Sequence, residues 1–327
     1  MGIWWNKFHL KTQKMIKLFN IPNYNIDTSQ FSNILHDKIV GELEREFAKY
    51  VGAKYACAVN SCTNAIFLAL YRFAHLPSRS CFLPSLITTR FLNAIIQSNV
   101  KYEFTDNTGW VGGSFKMYEH TDFKIIDSAQ KVEPDQFKKE CNPQDILLFS
   151  FYPTKPIGSV GGGMIVTNDK EKIEWFKKAT YFGETFSKNS WETKTEFVGW
   201  QMFMNSIQAW IAMENLKMYT TKIVLLNIFR NRYKCELYDM IVTGNSNHLF
   251  RIRVKDNEKF IKQMRKKNII CGLHYKPAHL NKVYNDGIKY DLPQSVIDGK
   301  TVVSIPFHEQ LTFDELETVI KYTKKFR

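Results

Sequence analysis

The 327-residue chain contains no uncharged apolar run of the roughly 18 residues that cross a bilayer, which excludes a membrane-spanning helix. Its six cysteines (57, 62, 81, 141, 235 and 271) form no CxxC pair and no zinc-like spacing with histidine. That predicts free thiols, a reducing compartment and no metal. There is no repeat of fixed period, no low-complexity tract and no Gly/Ser linker. The opening residues, Met1–Lys7 (MGIWWNK), lack the apolar core of a signal peptide. They also lack the Ser or Thr that myristoylation needs at position 6, so a cytoplasmic location is expected.

Acidic residues are the scarce charge, 32 against 45 Lys and Arg, for a net +13. A surplus of this sign attracts polyanions. The chain is also rich in Lys, Asn and Ile, and compositional drift accounts for the charge without a partner. Its cluster Lys262–Lys267 (KQMRKK) has no interleaved aromatics on which bases could stack. Nucleic acid therefore stays an unfavoured alternative. What is present is ordinary for a folded domain: 44% hydrophobic and 24% charged residues exclude wholesale disorder.

Helical and strand-like segments alternate from Val40 to about Gln208, the pattern of an α/β layer. Val40, Leu43, Phe47 and Tyr50 share a helical face, and Gly52 follows where a C-cap glycine belongs. Short apolar strands are expected at Tyr55–Val59, Cys81–Leu83, Lys124–Asp127, Ile146–Phe151 and Met164–Thr167. Ser61–Asn64 reads as a helix start, with Ala65–Ala74 as the helix behind it. A long helix should begin near Gln208. Beyond it, a strand (His248–Val254), a helix (Glu258–Lys267), a strand (Thr301–Ile305) and a helix (Phe313–Thr323) read as a smaller α+β unit.

The chemistry concentrates in Ser150–Gly158 (SFYPTKPIG), a turn-rich loop after a buried strand and before Gly161-Gly162-Gly163. A lysine there is awkward, because burying an unpaired ammonium costs several kcal/mol. It is useful chemically, because a desolvated lysine attacks carbonyls to form a Schiff base. Asp127 ends a strand, where a carboxylate can pair with a protonated ring nitrogen. Ser61–Asn64 opens a helix whose free N–H groups form an anion site, and Ser150 adds a hydroxyl. A phosphate cradle, an acid and a Schiff-base lysine are the needs of pyridoxal 5'-phosphate. Phe149, Phe151 and Tyr152 read as core rather than as a stacking platform.

The order of these segments resembles the DegT/DnrJ/EryC1/StrS family of pyridoxal-phosphate enzymes. Val59–Ala65 (VNSCTNA) is similar to its phosphate turn, Ile126–Gln130 (IDSAQ) to "EDAAQ", and Ser150–Lys155 to "SFxPTK". Gly162–Asn168 resembles "GGxxVTN", His274–His279 (HYKPAH) "HYxPxH", and Ser304–His308 (SIPFH) "SLPLH". The resemblance implies a pyridoxal-phosphate transferase of fold type I, the aspartate-aminotransferase type. Its large domain, residues 30–215, should carry a mixed, mostly parallel sheet. An N-terminal extension (1–29) and a smaller α+β domain (216–327) complete the division. The implied activity is transfer of an amino group from glutamate to a nucleotide-linked keto-sugar, by a homodimer with shared active sites. A cofactor-dependent reaction on a polyanion such as modified DNA, and a non-catalytic binding protein on this scaffold, remain alternatives.

By the same resemblance Lys155 carries the cofactor and the proton. Asp127 holds the ring nitrogen's proton, and Gln130 bonds the ring oxygen. Cys62, Thr63 and Ser150 bind the phosphate, and His274, Tyr275 and His279 are candidates for substrate contact, packing being their alternative. The chain departs from the family pattern at Cys62 (glycine), Thr88 (a stacking aromatic), Phe182 (histidine) and Gly199–Phe203 ("GxNxR"). Thr88, Phe182 and Phe203 should therefore make one wall of the substrate pocket apolar. The stretch around Gly199–Ala209 should reach the neighbouring subunit.

Overall fold

The computed structural model describes residues 15–73, 81–186, 192–243, 246–284 and 287–327. His9, His75 and the expected end of a helix at Ala74 lie outside them. Helix α1 (Ile39–Val51) buries Leu43, Phe47 and Val51 and ends on Gly52, whose φ of +75° suits glycine. Strand β1 (Tyr55–Val59) leads into α2 (Cys62–Tyr71), then β2 (Cys81–Pro84), α3 (Thr89–Gln97) and β3 (Tyr102–Thr105). Next come β4 (Phe115–Glu119), β5 (Lys124–Asp127), α4 (Gln136–Glu140), β6 (Ile146–Ser150), β7 (Gly163–Thr167) and α5 (Lys170–Thr180). A small ladder of β8 (Glu184–Phe186) and β9 (Thr193–Thr195) precedes the long helix α6 (Ser206–Leu237). The chain closes with β10 (Ile241–Thr243), β11 (Phe250–Arg253), α7 (Asn257–Arg265), α8 (Pro293–Thr301), β12 (Val302–Ile305) and α9 (Phe313–Phe326).

The central sheet has the order β1-β7-β6-β5-β4. Strands β1, β6 and β5 point one way, and β7 and β4 run against them. The sheet is thus mixed, with three of its five strands codirectional, although β5–β6 is its single parallel ladder. Two features depart from the expected pattern. First, β4 was not anticipated, and the four residues between Glu119 and Lys124 are too few for a crossover, so it must pair antiparallel. Second, β2 pairs in parallel with β3 in a separate ladder rather than entering the five-stranded sheet.

Both faces of the sheet are covered. Along β6, Ile146 and Leu148 face a cluster with Ile125 and Ile165, while Leu147 and Phe149 face Met164, Phe47 and α6. An uninterrupted apolar strand is what two buried faces require. A third cluster joins the antiparallel sheet β10-β11-β12 to α7, α9 and the far half of α6. Helix α6, started by a capping box of Asn205 and Gln208, places Ala212 and Tyr219 in one core and Phe229 and Tyr233 in the other.

This topology brings the chemistry to one sheet edge. The C-terminal ends of β1, β5 and β6 lie together because those strands are codirectional. Strand β7 is reversed, so its first residue arrives at the same edge, with Gly163 opposite both Val59 and Ser150. Open α/β sheets bind ligands along that edge.

Candidate active site

A cavity of about 240 Å³ opens there, lined by Cys62, Thr63, Asp127, Ser150, Lys155, His274 and Tyr275 among others. Seven of the nine residues singled out from the sequence are thus brought to one place. The other two are not in its lining. Gln130 stands behind Tyr275: its Nε2 donates to the tyrosine hydroxyl at 2.7 Å, and its Oε1 accepts the Gly112 N–H at 2.6 Å. His279 turns away, its Nδ1 2.5 Å from the Ser85 hydroxyl and its ring beside Phe104 and Tyr290.

The phosphate side is built by β1 running directly into α2. Ser61 caps the helix, its hydroxyl accepting the Asn64 N–H at 3.1 Å. The preceding N–H groups, of Cys62 and Thr63, have no intrahelical acceptor by position and carry the helix's positive end. Gly163 lets β7 lie close: a Cβ there would come within 2.8 Å of the Cys62 nitrogen and 2.9 Å of the Phe149 oxygen. Gly163→Ala should therefore push α2 outward and cost about 1–3 kcal/mol of stability, read as a lower urea midpoint. An unchanged midpoint would show that the strand and helix can part freely. The Cys62 thiol is itself buried, and burial raises its pKa well above that of a free thiol, so it is protonated and inert as a nucleophile.

Asp127 is 4% exposed. Its Oδ1 accepts the Ala129 N–H at 2.7 Å, and Oδ2 has no hydrogen-bond partner among the described residues. Burial pushes the carboxyl up from 3.8 to about 6, against the lowering effects of that hydrogen bond and of Lys155. Burial also lowers the Lys155 ammonium, and Arg90 adds to the effect, while Asp127 and Cys62 oppose it. Lys155 sits in the loop after β6, whose first turn closes with its own N–H on the Tyr152 carbonyl at 2.8 Å. Lys155 and Asp127 line the same cavity, yet they form no ion pair. Two opposite, desolvated groups that line one cavity without pairing can both meet a molecule bound there.

The far wall comes from the C-terminal part of the chain. His274 is held by the Ser304 hydroxyl at 2.8 Å, and burial lowers its pKa to about 3. His248 is stacked on Phe19 at 5.2 Å and is pushed well below 6.5 by burial, then by Lys155 and His274. Both imidazoles are neutral at physiological pH. Burial raises the Tyr275 phenol, which packs parallel to Trp110 at 6.3 Å.

The cavity corrects two expectations. Tyr152 is not core: unlike buried Phe149 and Phe151, it is exposed and lines the cavity. Phe182 and Phe203 do not line it, and only Thr88 of that trio does. Phe203 packs instead on His36 and Tyr181, because the segment around it is hydrogen-bonded to its own chain through Trp200, Met202 and Asn60. Sequence reasoning missed His248 and Arg90. Arg90 lies two residues from Thr88, and its charge in the first turn of the amphipathic helix α3 was the signal available.

The model of the DegT/DnrJ/EryC1/StrS aminotransferase family matches residues 25–109 and 121–324. The chain belongs to this family. It is accordingly an α/β enzyme of the pyridoxal-phosphate-dependent aminotransferase class, and β4 falls between the two matched stretches. A spore coat polysaccharide biosynthesis protein of Bacillus subtilis is 25% identical over 86% of this chain and 88% of its own length. A UDP-4-amino-4,6-dideoxy-N-acetyl-beta-L-altrosamine transaminase of Campylobacter jejuni is 23% identical over 92% of this chain and 94% of its own. A Streptococcus pneumoniae protein solved in its PLP form superposes with a TM-score of 0.77 at 18% identity, covering 94% of this chain and 99% of that one. No helix among the described residues is long and apolar enough to cross a membrane.

Proposed function

We propose that this protein transfers an amino group from an amino acid, glutamate first among candidates, to a keto-sugar attached to a nucleotide. The observation that carries the reading is the unpaired Lys155 and Asp127 facing one cavity, with the α2 N-terminus on its third side. The family and the C. jejuni relative supply the substrate class.

The donor set suits pyridoxal phosphate. The N–H groups of Cys62 and Thr63 and the hydroxyl of Ser150 would hold its phosphate. When bound, the group supplies a carbonyl and an electron-withdrawing ring. Asp127 would keep a proton on the ring nitrogen, and a cationic neighbour there lowers the carboxyl further, so it is ionised at neutral pH. Lys155, whose ammonium is disfavoured by burial, would be the amine that anchors the cofactor and would carry a proton between substrate atoms. Gln130 fixes the Tyr275 hydroxyl, and the tyrosine ring closes the wall beside it.

The protein would act in the cytosol as a homodimer with shared sites. For the homodimer, exposed Val160, Phe182 and Val198 offer apolar surface that a second copy would cover. The division into domains at about residue 216 would fall within α6, shortly before the cluster holding Leu216 and Tyr219 gives way to the one that starts, along the helix, at Leu226.

The test is spectroscopic. Protein loaded with pyridoxal phosphate should lose its visible absorption band on adding glutamate and regain it on adding a nucleotide-linked keto-sugar. A band that no amino acid changes would overturn the reading.

A further inference from the structure

A second cavity, of about 500 Å³, adjoins the first and shares Thr88 and Tyr275 with it. Its lining includes apolar Ile87, Pro277 and Leu280, together with Lys276. Arg90 projects into the first cavity two residues beyond the shared Thr88. Its guanidinium carbon lies 4.7 Å from the centre of the Tyr152 ring. Among the described residues Arg90 makes no ion pair and no hydrogen bond. A guanidinium that lies over a ring and makes no other polar contact keeps its N–H groups available, in the fork geometry that matches two phosphate oxygens.

We infer that Arg90 receives the diphosphate of a nucleotide-linked substrate, with the nucleoside in the second cavity and the sugar directed at Lys155. This deepens the reading above and rests on it. The amino donor is the other source of an anion, through its carboxylate. That group sits one carbon from the reacting amine, so it must lie deep beside Lys155. Arg90 and Tyr152 are both exposed, at the mouth. A cavity of about 240 Å³ also leaves no space for a nucleotide, whereas its neighbour is twice as large and apolar enough for a base. The field of Arg90 reaches inward, lowering the proton affinity of both Lys155 and Tyr275. An anion on Arg90 would thus be felt at the reacting amine.

The experiment titrates the cofactor-loaded protein with the uridine, thymidine, guanosine, cytidine and adenosine diphosphates by calorimetry, then repeats it with Arg90→Ala and Arg90→Lys. At least one diphosphate should bind the wild type, about tenfold or more weakly to Arg90→Ala, with partial recovery in Arg90→Lys. Added salt should weaken wild-type binding. In turnover, KM for the nucleotide-linked acceptor should rise by a similar factor while KM for the donor stays put. Failure of all five to bind, equal binding by the wild type and Arg90→Ala, or a rise confined to the donor KM would each overturn the assignment. Diphosphate binding through Arg90 without amination of any nucleotide-linked keto-sugar would instead sink the functional reading and leave this site standing.

Discussion

Lys155→Ala is expected to reduce turnover by at least about 10³-fold, because the same amine is both nucleophile and proton carrier and no second lysine among the described residues lines the cavity. Stability should move the other way. Burial lowers the Lys155 ammonium and Asp127 does not pair with it, so the folded chain bears a poorly compensated charge. The alanine variant without cofactor should melt no lower than the wild type. Reduction of the wild type with borohydride, followed by peptide mapping, should place the pyridoxyl group on Lys155. Label on another lysine, or turnover near the wild-type rate in Lys155→Ala, would refute the assignment.

Asp127→Asn should separate activity from stability still more clearly. An amide keeps the hydrogen bond from the Ala129 N–H but cannot hold a proton on a ring nitrogen, so turnover should drop by about 10²–10⁴-fold. The carboxyl titrates at about 6 in the folded chain and at 3.8 ordinarily, so folding favours its protonated form. That contribution is fully present below about pH 4 and is lost as pH rises through about 6. Asparagine never ionises and escapes the loss. Without cofactor, the variant and the wild type should be similarly stable at pH 4. Above pH 6 the variant should lead by up to about 3 kcal/mol, the equivalent of two pH units. Melting curves between pH 4 and 8 decide it: a variant less stable throughout would mean that Lys155 neutralises Asp127 after all.

Local features were legible because they depend on neighbours in sequence. The strand Tyr55–Val59, the Ser61 cap and the Gly52 stop follow from apolar runs, a hydroxyl and a residue tolerant of positive φ. The motif residues of the cofactor side were legible too, since each sits within a few residues of a strand end that fixes where it points. The direction of β4 was also implicit in its four-residue connection, once the strand itself is recognised.

The amino-acid sequence by itself therefore determined the α/β class, the family and the residues at the strand ends. Only the tertiary structure decided which side chains from distant segments share the cavity. His248 entered it, and His279 left it for Ser85. Phe203 was drawn to His36 by the backbone bonds that tie its segment to the end of α5, and Tyr152 was turned outward beneath Arg90. The physical reason is that pattern and spacing record burial and local geometry. The environment of a loop side chain is set by elements a hundred or more residues away, whose approach no short motif encodes.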